Sequence, residues 1–281
     1  MRLEMHSKIY EDAEAAGSAS EALAILRQLP VAHFGWLMWS LPDAGLPNLS
    51  RMLPGMVSAE DQLLWTGSEG YILLRQTAAF TNLLHQRFQA ITGRELNGAR
   101  ILDFGSGWGR LMRMMLRFTD DVAGVDPWAR SLEICAAHGV IGTVRQSEYL
   151  PTDLPVDGAF DLMIAYSIFT HTSEDATKAA LSAMRKHIKP DGLLAMTIRP
   201  IEVWKLSQEF NPDFPRLEME TAHLAQGFAF VPQDVDGNNT TYGETSMSLA
   251  WLQEAAVGWR IAGHDVSIDD PYQVIVFLRP V

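Results

Sequence analysis

From Ala99 onward the chain alternates short apolar runs with amphipathic stretches at helical spacing, the pattern of stacked βαβ units. Six runs read as strands: Arg100–Phe104, Val122–Asp126, Gly142–Arg145, Asp161–Tyr166, Leu193–Arg199 and Tyr272–Arg279. Helical patterns over 108–118, 128–138 and 173–188 separate them, and a helix at about 247–257 and a strand at about 259–266 precede the last run. The first 95 residues follow a different rule. Lys8–Leu29 sets Leu23, Ile25, Leu26 and Leu29 at helical spacing and stops at Pro30. Residues 41–57 are rich in Pro and Gly, and Gly70–Ile91 carries a second helical face. Residues 200–245 show no clear period. These patterns predict an α/β fold over 96–281, a helical extension over 1–95 and an insertion at 200–245 before the last strand pair.

Composition narrows the functional classes. Lys and Arg number 22 against 34 Asp and Glu, a net charge of −12, which argues against nucleic acid because affinity for phosphate backbones comes from cationic side chains. The sole basic cluster, Arg110, Arg113 and Arg117, falls on one helix face and reads as a solvated surface. One cysteine, Cys135, allows no internal disulfide and points to a reducing, cytoplasmic setting. Its neighbours Ile134 and Ala136 make it a core residue rather than a nucleophile. The N-terminus reads as no signal peptide. Val31–Leu41, the most apolar stretch, is too short to span a bilayer, so no membrane partner is expected. The histidines match no metal-ligand spacing, and no metal is expected.

The candidate chemistry begins at Ile101-Leu102-Asp103-Phe104-Gly105-Ser106-Gly107-Trp108-Gly109-Arg110. An apolar strand ends beside an acid, a glycine turn follows, and a helix opens. Glycines let the backbone turn tightly and let a ligand approach it. A second acid, Asp126, ends the next strand, where a carboxylate can accept from both hydroxyls of a ribose. A dinucleotide site wants G-x-G-x-x-G, but Arg110 stands where that third glycine would fall. Asp103 would also repel a pyrophosphate and favour an ammonium group. The ligand that fits carries an amine, a carboxylate and an adenosine.

Taken in order, ILDFGSGWGR, VAGVDPW, SEYLP, FDLMIAYSIFTH and IKPDGLLAMTIRP resemble the class I S-adenosylmethionine-dependent methyltransferases over about residues 96–200. The resemblance implies a Rossmann-like, doubly wound, mostly parallel seven-stranded sheet with an antiparallel last strand. It implies S-adenosylmethionine as cofactor and S-adenosylhomocysteine as product. By the same resemblance Asp103 and the loop of Gly105, Gly107, Trp108 and Gly109 would hold the methionine part, and Asp126 the ribose. Pro127 and Trp128 would lie along the adenine, Glu148 and Tyr149 at its amino edge, and Tyr166 would complete the set. Many relatives have Asp where Glu148 stands. Trp65 and Arg75 either fold over the cofactor or simply pack the first helices.

His171, just past the fourth strand, is the candidate base for a hydroxyl acceptor. The competing reading makes it the residue ahead of a helix cap in Thr172-Ser173-Glu174-Asp175. Within 200–245, Trp204, Phe210, Phe228, Phe230, Asn238, Asn239 and Tyr242 suit recognition of a small-molecule acceptor, with a homodimer contact as the other role. The expected activity is methyl transfer to a hydroxyl or amine of a small molecule, a saccharide or secondary metabolite being favoured. The alternatives are a methyltransferase-like binding or regulatory protein and, less favoured, an NAD-dependent oxidoreductase.

Overall fold

Apolar periodicity in the first 95 residues becomes a run of helices in the computed structural model, which describes residues 6–234, 240–267 and 270–281. The chain divides into two units, 1–146 and 147–281, and each is described by itself. In the first, α1 (Ser7–Glu14), α2 (Ala19–Leu26), α3 (Val31–Ser40), α4 (Pro47–Met52), α5 (Ala59–Thr66) and α6 (Gly70–Thr92) precede the sheet. Then come β1 (Ile101–Phe104), α7 (Arg110–Met115), β2 (Val122–Asp126), α8 (Ala129–Ala137) and β3 (Thr143–Gln146). The strands pair in parallel in the order β3-β2-β1. Every residue of β1 and β2 is buried, as parallel strands covered on both faces require. β3 keeps Thr143, Arg145 and Gln146 exposed.

The second unit holds β4 (Phe160–Ala165), α9 (Glu174–His187), β5 (Ile188–Ile198), α10 (Val203–Phe210), α11 (Arg216–Gln226), β6 (Phe228–Pro232), β7 (Gly243–Met247), α12 (Leu249–Ala255), β8 (Trp259–Val266) and β9 (Val274–Pro280). Its larger sheet runs β4-β5-β9-β8, with β4 and β5 parallel and β9 antiparallel to both neighbours. Counted over both units, these are the seven strands of the expected mostly parallel, Rossmann-like arrangement. Among the described residues no helix is long and apolar enough to cross a membrane.

Three expectations change. The helical stretch Lys8–Leu29 is two helices, broken at Gly17 and restarted by the Ser18 hydroxyl, which accepts from the Glu21 N–H at 3.2 Å. The unpatterned segment 200–245 is ordered over its described part, with α10, α11 and a β6–β7 hairpin around its own small core of Val203, Trp204 and Ala229. Trp204 is wholly buried, donates to the Ser246 hydroxyl and stacks on Phe214, and Phe228 is buried beside Trp251. Both are therefore packing residues rather than ligand-facing ones, Trp204 in this core and Phe228 against Trp251, while Asn238 and Asn239 lie outside the described residues.

The third change concerns the arginine row. Arg113 is fully buried, and its guanidinium donates to the carbonyls of Met38, Pro54 and Gly55 at 3.3, 2.7 and 2.8 Å. Arg117 donates to Leu29 O at 2.6 Å and Arg110 to the Thr77 hydroxyl at 2.8 Å. Residues 111–115 of α7 are all buried. A helix enclosed on every side has no solvated face. Arg113 and Arg117 satisfy backbone carbonyls of the preceding segments and Arg110 a threonine hydroxyl, a need that periodicity does not reveal.

Candidate functional site

After β1 the chain turns through Gly105, Gly107 and Gly109, all left-handed, with φ of 76°, 52° and 80°. Gly109 leads directly into α7. A Cβ at Gly109 would lie 2.9 Å from both methyls of Val140, so the close packing on α8 and the turn after it demands glycine as much as the dihedral does. The loop is tied down from within. Gly105 and Ser106 donate to Val125 O at 2.8 and 3.1 Å, and Gly107 donates to the Asp126 carboxylate at 2.9 Å. The Cys135 thiol donates to Gly107 O at 3.2 Å, and burial pushes that thiol up to about 12, so it packs and does not react.

Two carboxylates lie beneath this turn. Asp103 is buried on β1, and burial raises its carboxyl to about 7, with Arg110 pulling down and Asp126 pushing further up. Asp126 is raised by burial too, but the N–H groups of Gly107 and Trp128 and the Ser131 hydroxyl stabilise its charge. Over the turn, Trp65 from α5 would lie 2.9 Å from a Cβ on Gly107. Its ring meets that of Trp128 at 4.8 Å and its indole N–H reaches the Ser131 hydroxyl at 3.3 Å. The Arg130 guanidinium lies 5.2 Å from the Trp65 ring and 5.8 Å from the Trp128 ring, and pairs with Asp61 of α5 at 3.3 Å.

These features suit S-adenosylmethionine better than a dinucleotide. The N–H groups of Gly105, Ser106 and Gly107 that a pyrophosphate would need are already bonded, whereas two buried acids suit an ammonium group and a pair of ribose hydroxyls. The first unit thus brings together Asp103, the glycine loop with Trp108, Asp126, Pro127 and Trp128. Trp108 itself is buried against Val57 and Leu73. Trp65, weighed in the sequence only as a lid or packing residue, sits on this loop.

The other sequence candidates belong to the second unit. Glu148 and Tyr149 are exposed, and Tyr166 is half-buried immediately past β4. His171 stacks on Tyr242 at 5.4 Å, donates through Nδ1 to Gly243 O at 2.9 Å, and faces Arg199 through Nε2 at 3.4 Å. Burial first, then Arg199, lowers the imidazole to about 4. The ring is therefore neutral at pH 7, and its 3.4 Å approach to Glu244 is no ion pair there. Glu244 pairs instead with Arg199. The helix cap expected in this stretch falls one residue later than a box opening at Thr172 would put it: Ser173 caps α9, accepting from the Ala176 N–H at 3.4 Å, with no acid three residues on to complete a box. Arg199 was not singled out from sequence, since its importance comes from the partners that the β6–β7 hairpin brings to it.

Residues 101–192 match a family described as a methyltransferase domain. Over this segment the chain is similar to methyltransferase domains. Over 100 residues it is 31% identical to a ubiquinone biosynthesis O-methyltransferase of Cereibacter sphaeroides, covering 34% of this chain and 40% of that protein. A second relative of the same description, from Brucella melitensis, is 31% identical over 105 residues, 36% and 41% of the two chains. The chain thus spans about two fifths of the length of the curated relatives it matches. Among solved structures, DesVI of Streptomyces venezuelae aligns with a TM-score of 0.52 at 13% identity over 80% of this chain and all of that one, a likeness of fold. The glycine turn predicts a sharp effect: Gly107→Ala puts a Cβ against Trp65 at a left-handed residue. Calorimetry should show S-adenosylhomocysteine binding about tenfold weaker, a loss of about 1.4 kcal/mol.

Proposed function

We propose that the protein is an S-adenosylmethionine-dependent methyltransferase acting on a hydroxyl or amine of a small molecule, with a saccharide or secondary metabolite favoured. The observation that carries this reading is the glycine turn over the buried pair Asp103 and Asp126. When bound, the cofactor supplies a methyl group that is already electrophilic. Asp103 would hold its ammonium end and Asp126 its ribose, while Pro127, Trp128, Glu148, Tyr149 and Tyr166 complete the cofactor set. The protein's own task is then to align the acceptor and exclude water. The names of the curated relatives support an O-methyl acceptor.

His171 is best supported as a positioning residue. A neutral ring whose Nδ1–H is held by Gly243 O and whose Nε2 faces Arg199 orients that guanidinium and Tyr242. The low basicity that burial imposes makes it a weak base. His171→Gln is expected to retain most turnover, and the pH profile of kcat should show no limb near about 6.5; a limb there that vanishes in the variant would restore the base reading. The activity itself is tested by titrating the protein with S-adenosylhomocysteine and with NAD, then assaying methyl transfer from S-adenosylmethionine to a panel of hydroxyl and amine acceptors. Binding of NAD alone would overturn the reading, and cofactor binding without transfer to any acceptor would favour the binding-protein alternative.

A further inference from the structure

At the carboxyl edge of the second unit's sheet two residues break local rules within hydrogen-bonding distance of each other. Ser167, just past β4, is left-handed at φ 60°, the sole non-glycine residue with positive φ among those described. Such a conformation is costly for a residue with a Cβ and persists where surrounding contacts enforce it. Here the Thr197 hydroxyl accepts the Ser167 N–H at 2.7 Å, and the Ser167 hydroxyl meets that of Thr170 at 3.3 Å. The second rule-breaker is Gln273, which precedes β9 and is 5% exposed. Its Nε2 donates to the Ser167 hydroxyl at 3.1 Å, while its buried Oε1 has no partner among the described residues. An orphaned buried carbonyl is costly, and a purely structural glutamine would have both ends bonded.

Register brings a donor to the same edge. Ile198 pairs with Val274, so Arg199 and Gln273 are the next residues on adjacent strands. Arg199 spends one N–H on Glu244 and another on His171 Nε2, out of the five that a guanidinium carries. Asp270 and Tyr242 also face it electrostatically. Register thus puts a residue whose acceptor is unbonded among the described residues and a residue with a fork of donors on neighbouring strands, at the edge where open α/β sheets bind their ligands.

Resting on the methyltransferase reading, we infer that Gln273 and Arg199 form the acceptor-recognition subsite and select a saccharide-like polyol with neighbouring hydroxyls. One hydroxyl donates to Gln273 Oε1, and the adjacent oxygen accepts from Arg199. Ser167 is the positioning residue that holds the Gln273 amide in the required orientation. An apolar acceptor would leave the Gln273 carbonyl unpaired, which is the basis of the selection.

The test uses Gln273→Met in the full chain, with S-adenosylhomocysteine at saturation and three methyl hexopyranosides, those of glucose, galactose and mannose, as probes. In calorimetry the wild type should bind at least one glycoside and reject its fully O-methylated form, which keeps every oxygen but has no donor. Gln273→Met should bind that glycoside about tenfold more weakly, with S-adenosylhomocysteine affinity unchanged. Without ligands the variant should keep or gain thermal stability, by about 2 °C, because the orphaned carbonyl is gone. The proposal is overturned by a clear fall in Tm, which would mark a structural glutamine, by binding of the O-methylated glycoside equal to that of its parent, or by no glycoside binding to the wild type. Failure of S-adenosylhomocysteine to bind the wild type would instead reject the methyltransferase reading on which the subsite rests.

Discussion

Arg113→Ala is expected to lower the unfolding free energy by about 3–5 kcal/mol, the range for a core truncation that also strands buried polar groups. The side chain is fully buried and its guanidinium bonds three carbonyls, those of Met38 in α3 and of Pro54 and Gly55 in the connector before α5. Removing it leaves a cavity under α7 and three carbonyls without their donor. Part of this loss is offset because burial itself disfavours the cation, lowering its value to about 10. Arg113→Met, which fills most of the volume, should lose less, and the difference between the two variants measures the cavity. Urea unfolding of the pair checks both. A loss under about 1 kcal/mol for the alanine variant would mean that the three carbonyl bonds contribute little.

Asp103→Asn is expected to move stability and cofactor affinity in opposite directions. The folded protein holds the Asp103 proton up to about 7 against an ordinary 3.8, chiefly through burial. The sign is therefore the reverse of that of a salt-bridged aspartate. This group's contribution to stability is fully present below about 3.8 and is lost as pH rises through about 7. Above about pH 8 the wild type without cofactor bears a cost on the order of 4 kcal/mol that a neutral amide avoids, so the variant should melt at higher temperature there and gain nothing near about pH 4. A cationic ligand reverses the balance. An ammonium group beside Asp103 favours the carboxylate, so wild-type affinity for S-adenosylhomocysteine should rise as pH passes through about 7, with release of a proton. In the Asp103→Asn variant that pH dependence should vanish and affinity fall about 10–100-fold. Calorimetry in buffers of different ionisation enthalpy measures the proton directly. A variant with unchanged affinity would remove Asp103 from the cofactor site.

Much of the α/β domain was legible along the chain. The parallel strands are short buried apolar runs and the helices between them carry clear caps or faces, so β1, β2, β4 and α9 fall within a residue or two of their predicted spans. The glycine turn was readable for a similar reason: three left-handed residues in five positions leave glycine as the unstrained choice. The break between α1 and α2 was less visible, because Ser18 acts as a cap through one hydrogen bond inside an otherwise continuous helical pattern.

The sequence by itself determined the α/β class, the strand–turn–helix at 101–110 and the acids at 103 and 126, all properties of residues near one another in the chain. Tertiary structure alone decided that Arg113 is an internal tie rather than a surface charge, because the carbonyls it serves lie more than fifty residues upstream. It decided that Trp204 packs a small core with Val203 and Ala229, that Phe228 is buried against Trp251, and that Trp65 covers Gly107. It also made His171 neutral and left the Gln273 carbonyl without a partner among the described residues. Burial, partner and protonation state depend on what the rest of the chain brings into contact, and local periodicity carries no record of that.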